Sequence, residues 1–157
     1  LETTVVGGTP VTAIDFTNLT SKYAANYQHL QVRMALTSNV NSSIKFQFNS
    51  DTTGNYSFHA LEGNGSNVVS FGATSHEAGY LGYSFAGVMS ATLDLLDPFE
   101  TTKFKTARAL SGTTAGGNRI YLASSNWRSN NSVTALRVYN ESGSFTTGSR
   151  ISLYGVK

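Results

Sequence analysis

The sequence predicts an all-β protein, an antiparallel β-sandwich of jelly-roll type with about ten short strands and little helix. Apolar alternation at period two, turn clusters between the alternating stretches, and a composition poor in charge carry that expectation. Hydrophobic residues make up 39% and charged residues 13% of the 157 positions, against roughly 25% charged in an ordinary soluble domain. Ser, Thr and Asn fill about a third of the chain, which favours strands and turns over helices. With 9 Phe, 8 Tyr and 1 Trp there is ample material for a core. The length fits one sandwich domain over residues 1–157. Leu1 and Glu2, with no initiating Met, are expected to be a trimming or processing remnant without structural weight.

The first segment with a helical rhythm is 16–27, where Leu19, Tyr23 and Tyr27 recur at intervals of four. Its Thr, Asn and Ser content makes it a connector with one or two helical turns at most. Leu30, Val32, Met34 and Leu36 then alternate with His29, Gln31, Arg33 and Ala35, the pattern of a strand buried on one face. Ile44, Phe46 and Phe48 repeat it against Lys45, Gln47 and Asn49. The turn Asp51-Thr52-Thr53-Gly54-Asn55 leads into Tyr56, Phe58 and Ala60, which completes a hairpin. After Gly63-Asn64-Gly65-Ser66-Asn67 come weaker strands at 68–71 and 80–85. Met89, Ala91, Leu93 and Leu95 form another one-sided strand that Asp97-Pro98 ends. Ile120 with Leu122, Leu136 with Val138, and Ile151 with Leu153 continue the rhythm. Turn clusters separate them at Gly116-Gly117-Asn118, Ser129-Asn130-Asn131 and Glu141-Ser142-Gly143-Ser144. The stretches 111–117 and 142–149, dense in Ser, Thr and Gly, are expected to be long exposed loops.

Several function classes are disfavoured by content. The net charge is +2 and the basic residues are scattered singly, so no dense cationic face for nucleic acid is expected. Without cysteine there is no disulfide, thiolate metal site or cysteine nucleophile. No apolar run is long enough to span a membrane as a helix, so membrane insertion is not expected. Catalysis is not expected either. The carboxylates Asp51, Glu62, Asp97 and Glu141 sit beside turn residues, and Asp94 and Asp97 with Glu77 or Glu100 offer only the pairs that any sandwich would. His29, His59 and His76 are too far apart in sequence for a local zinc motif. The segment 49–53 lacks the carboxylate density of a calcium loop, so neither a metal nor a cofactor is expected. Asn-x-Ser/Thr triplets at Asn18, Asn41, Asn55, Asn64, Asn130 and Asn140 occur as often as chance allows in such a composition.

Sugar binding is the chemistry with candidate residues. Trp127 between Asn126 and Arg128 pairs an indole face with an amide and a guanidinium, and Tyr80 with Tyr83 offers a second aromatic group. The alternative places Trp127 at the end of the core and the tyrosines at a subunit contact.

The segment Phe48-Asn49-Ser50-Asp51-Thr52-Thr53-Gly54-Asn55-Tyr56-Ser57 and the ending Gly143-Ser144-Phe145-Thr146-Thr147-Gly148-Ser149-Arg150-Ile151-Ser152-Leu153-Tyr154-Gly155-Val156-Lys157 together resemble a family of small virion structural proteins of bacteriophages and prophages. In that family a chain or domain stops at a Gly-Ser-x-Ile-x-Leu-Tyr-Gly-aliphatic-Lys ending. The stretch from Ile14 through Tyr23 to Arg33, and Trp127 ahead of 133–138, are similar to the family's pattern too. The resemblance covers about two thirds of the chain and implies a jelly roll that acts on the particle as a capsid decoration, fibre or tail-tip module. It supplies no catalytic residues. It also implies a homo-oligomer, with a trimer favoured by particle symmetry, other virion proteins as partners, and location on the virion after synthesis in the bacterial host cytoplasm. Ending a tail fibre, the same fold would bind a host surface glycan as a receptor-recognition module.

Overall fold

The computed structural model describes residues 1–113, 116 and 118–157. Its strands are β1 (Glu2–Val5), β2 (Ala13–Thr17), β3 (His29–Thr37), β4 (Asn41–Phe48), β5 (Tyr56–Gly63), β6 (Val68–His76), β7 (Gly79–Phe85), β8 (Val88–Leu96), β9 (Lys105–Thr113), β10 (Arg119–Trp127), β11 (Ala135–Asn140) and β12 (Arg150–Val156). An 8-stranded sheet runs β1-β12-β3-β8-β9-β10-β5-β6 and a 4-stranded sheet runs β2-β11-β4-β7. Every pairing is antiparallel. The protein is thus an all-β sandwich, whereas jelly-roll connectivity does not follow from this strand order. The sole helix among the described residues is α1 (Leu19–Tyr23), which drops Leu19 into the core within the segment expected to be a connector.

Strand parity places the core. Leu30, Val32, Met34 and Leu36 of β3 and Met89, Ala91, Leu93 and Leu95 of β8 point inward. Ile44, Phe46 and Phe48 of β4, Leu136 and Val138 of β11, and Ile151 and Leu153 of β12 close over the same space. Burial of so many large apolar side chains between two sheets is the main term holding the fold.

Several elements differ from expectation, each for a physical reason. β9 lies partly where an exposed loop was expected, and Ser111 and Thr113 are buried on its inner face with Ala107 and Ala109. Small inward residues carry almost no hydrophobic signal, so the strand is nearly invisible to periodicity. Positions 114, 115 and 117 of that stretch, including Gly117 of the expected turn, lie outside the described residues. In β10 the apolar residues that mark the strand, Ile120 and Leu122, face outward, while Tyr121, Ala123, Ser125 and Trp127 face in. Segment 142–149 is irregular but not simply exposed, since Phe145 is buried and bridges Val11 and Ser38. Lys45 and Gln47, the expected solvent face of β4, are also buried, Lys45 against Glu141 and Gln47 on the carbonyl of Glu77. Glu2 has structural weight after all. It lies in β1 and accepts hydrogen bonds from Tyr23 Oη at 2.6 Å and Lys22 Nζ at 2.9 Å.

Candidate functional site

The residues that suggested sugar binding fall into separate places. Trp127 ends β10 with 2% of its surface exposed. Its ring stacks on Tyr56 with centroids 6.4 Å apart and lies 5.5 Å from Phe48. Its Nε1 donates to Asp51 Oδ2 at 2.7 Å. Trp127 is therefore corrected from an exposed stacking platform to the alternative, a residue at the end of the core, because its polar edge is held by the Asp51 carboxylate and its ring is packed against Tyr56 and Phe48.

Its neighbours are committed to the same job. Arg128 donates through Nη1 to the carbonyl of Thr74 at 2.6 Å and through Nη2 to the carbonyl of Gly54, which ties the 51–55 turn to β6. Asn126 donates to the carbonyl of Lys105 at 3.3 Å. Asp51 organises the turn by accepting from Thr53 N, Thr53 Oγ1 and Asn55 Nδ2 as well as the indole. Partial burial alone would push its carboxyl up, but these bonds favour the ionised form and hold it down at about 2. Both Asp51 carboxylate oxygens are thus turned toward protein donors.

Tyr80 and Tyr83 lie elsewhere, on β7, which the fold brings unusually close to the large sheet. A Cβ on Gly82 would lie 2.3 Å from Ser111 Oγ of the large sheet, and one on Gly79 would lie 2.2 Å from Cζ of Phe46 on the paired strand β4. Glycine at both positions is what lets the β7 backbone approach its neighbours. Gly82 also has φ 151°, beside a register shift between Ile44 and Lys45 of the partner strand. The backbone groups that β7 does not give to β4 find partners on the facing sheet. Ser111 Oγ donates to the Leu81 carbonyl at 2.8 Å, and Tyr80 N donates to Ser125 Oγ at 3.2 Å. Buried serines on the inner faces of β9 and β10 therefore satisfy an edge strand from the other sheet.

This close approach opens a cleft of about 530 Å³ at the flank of the sandwich, between β7 and the β5, β6 and β10 side of the large sheet. Its floor is aromatic and buried: Tyr80 stacks on Phe58 at 5.3 Å and meets Tyr121 edge-on at 6.1 Å. Its walls are more open, with Phe71 37% exposed and Tyr83 packed at 4.8 Å against Phe85. Glu62 accepts from Arg119, whose guanidinium also lies 4.9 Å from the centre of the Phe85 ring. Lys45 and His76 complete the lining. Burial, with Glu62 close by, pushes the Tyr121 phenol up to about 12, and burial pushes Tyr80 upward as well. Both phenols stay protonated at ordinary pH. Of the sequence candidates, then, Tyr80 and Tyr83 share a cleft, and Asn126, Trp127 and Arg128 do not contribute to it.

A second surface was missed by sequence reasoning. On the outer face of the large sheet, Leu122 is flanked directly by Leu61 on β5 and Leu110 on β9, and Ile120 follows on the same strand. These residues are 56%, 49%, 59% and 63% exposed in that order, and Val68 beyond Gly63 is 76% exposed. A hollow of about 670 Å³ adjoins Leu61 and Leu122, with His59, Arg108 and Ser124 on its polar side. The signal was present in the Ile120–Leu122 alternation, but periodicity gives a face without saying which side of the sheet it meets.

A further hollow of about 780 Å³ lies at the end carrying Tyr27, Phe99 and Lys157. Its Asp97 is already engaged by Lys103 at 2.5 Å and Gln28 at 3.2 Å. The histidines stay apart: His29 accepts from Asp97 N, His59 is on the outer sheet face, and His76 borders the aromatic cleft. Among the described residues, no helix is long and apolar enough to cross a membrane. No protein-family model matches this chain, and no curated protein matches it.

Proposed function

We propose that this chain is a non-catalytic structural module that works by assembling with copies of itself on a bacteriophage particle. The observation that carries the proposal is the apolar band Leu61-Leu122-Leu110 with Ile120 and Val68 on an open sheet face. From their exposures the band presents on the order of 500 Å² of apolar surface, comparable to the largest patch on an ordinary monomer and usually functional at that size. With a polar rim it approaches the roughly 800 Å² that each partner contributes to a standard interface. Arg108 faces Asp94 across the neighbouring strand and Arg33 lies diagonally from it opposite Thr92, so the rim carries both signs of charge and does not repel a copy of itself.

The similarity of the ending to small virion proteins supports the particle as the setting, as a capsid decoration, fibre or tail-tip component. Jelly-roll ancestry, contacts to other virion proteins and virion localisation belong to the same proposal. Closed symmetry on a particle favours a homotrimer. Sedimentation equilibrium of the purified chain tests this directly. A concentration-dependent oligomer supports the proposal, and a strict monomer at high protein concentration refutes self-assembly through this face.

A further inference from the structure

We propose that the cleft between β7 and the β5, β6 and β10 flank is a binding site for a neutral pyranose at the end of a glycan. The proposal stands apart from self-assembly, because the band lies on the outer face of the large sheet and the cleft at its flank, where only Phe71 borders both the cleft and the hollow beside the band.

A sugar site needs an accessible aromatic face for the C–H side of the ring, and fixed donors and acceptors for its hydroxyls. Tyr83, Phe85 and Phe71 supply partly open rings at the mouth of the cleft, held by the packed floor of Tyr80, Phe58 and Tyr121. Such a floor fixes the wall rings before any ligand arrives, which lowers the ordering cost of binding. Polar groups converge on the same space. The guanidinium of Arg119 and the carboxylate of Glu62 stand side by side, placing a donor and an acceptor next to each other in the cleft. The buried Nε of Arg119 has no hydrogen-bond partner among the described residues. Beneath them the neutral Tyr121 phenol meets both Glu62 and Arg119 and holds that pair in place.

Charge selects within the sugars. The cations at the cleft are each matched by a carboxylate, Arg119 by Glu62 and Lys45 by Glu141. An acidic sugar would bring a second negative charge toward Glu62 without a free cation to receive it, so neutral hexoses are preferred over sialic or uronic acids. One shallow site gives weak binding, and copies held on one particle would raise it by avidity.

Saturation-transfer NMR tests the site with methyl α-D-glucopyranoside, methyl β-D-galactopyranoside and methyl α-D-mannopyranoside as probes and N-acetylneuraminic acid as the acidic comparison. The expected result is transfer to at least one neutral probe, strongest at its ring C–H protons, and little to the acid. The signal should fall at least about tenfold in Tyr83→Ala, as expected when a stacked ring worth more than 1.4 kcal/mol is lost, and persist in Phe104→Ala, an exposed phenylalanine outside the cleft. Amide shifts in the unmutated, 15N-labelled protein provide a reading that does not depend on any variant folding. They should concentrate at Tyr83, Phe85, Glu62 and Arg119. Absence of transfer to all the neutral probes, stronger transfer to the acid, shifts centred elsewhere, or undiminished transfer in a folded Tyr83→Ala protein would each overturn the site. Retained sugar signals in a Leu122→Asp protein would show that the site is independent of assembly, and loss of them in that folded variant would overturn the independence claimed here.

Discussion

Two halves of the eight-stranded sheet solve the same packing problem in opposite ways. In the half built by β12, β3 and β8, large apolar residues such as Leu30, Val32, Leu93 and Leu153 face the core, and Gln31, Arg33, Thr92 and Asp94 face outward. In the half built by β9 and β10, the inward positions are mostly small, Ala107, Ala109, Ser111, Ala123 and Ser125, while Leu110, Ile120 and Leu122 point out. The cause lies above the sheet. Over β9 and β10 the other layer is the β7 backbone itself, brought close at Gly82, so there is little room for large side chains beneath it and a need for hydroxyls to meet its free amide and carbonyl. The outward leucines are not explained by any contact inside the chain. A single cross-strand row, Arg33-Thr92-Leu110-Leu122-Leu61, crosses from one regime to the other within one sheet face.

The largest effect should come from the inward side of the first half. Leu93→Ala removes a fully buried side chain and should cost about 2–5 kcal/mol in urea unfolding. The facing test is Leu110→Ala, one residue from Leu93's cross-strand partner, which should change monomer stability by no more than about 0.5 kcal/mol. A comparable loss at both positions would erase the contrast between the halves. Ser111→Ala is next in size, about 1–3 kcal/mol, because the Leu81 carbonyl loses its buried donor. An unchanged melting curve would mean that water replaces the hydroxyl and that β7 is not held by this bond.

Acid provides a smaller, separate effect at the turn beneath Trp127. Asp51 is depressed in the folded state, so its contribution is present above the unfolded carboxyl pKa and is lost as pH falls from about 4 toward 2. Partial solvent screening limits the effect to about 1–2 kcal/mol. Asp51→Asn should therefore be less stable than the parent protein at neutral pH and nearly equal to it near pH 2, with indole fluorescence as the probe. A constant difference across that range would remove the ionised Asp51 from the account.

The one-sided strands were legible in sequence wherever the facing layer contributes side chains. Val32 or Phe46 is read correctly because large apolar residues at alternate positions have no cheaper place than the core. β9 failed for the converse reason, since a layer that contributes backbone asks for Ala and Ser, which look like loop composition. Of the two readings of Trp127, the end of the core is the one the structure bears out; sequence left both open because Asn126 and Arg128 look alike whether they read a ligand or pin a turn, and Asp51, the indole's acceptor, is distant along the chain. Tyr80 and Tyr83 were found by residue type, but Glu62 and Arg119 were not, because their meeting depends on β5 and β10 being neighbours.

The central claim is that the outward leucines of β9, β10 and β5 are an interface and the polar residues beside them are not. It is tested most directly by sedimentation equilibrium on Leu122→Asp and Thr92→Asp, substitutions that put the same carboxylate on the same cross-strand row. The account predicts that Leu122→Asp shifts the protein to monomer, at least about a hundredfold weaker in association for a charge buried in an apolar contact, while Thr92→Asp associates within a few-fold of the parent. Equal association constants for the two variants, or a parent protein that is already monomeric, would contradict it.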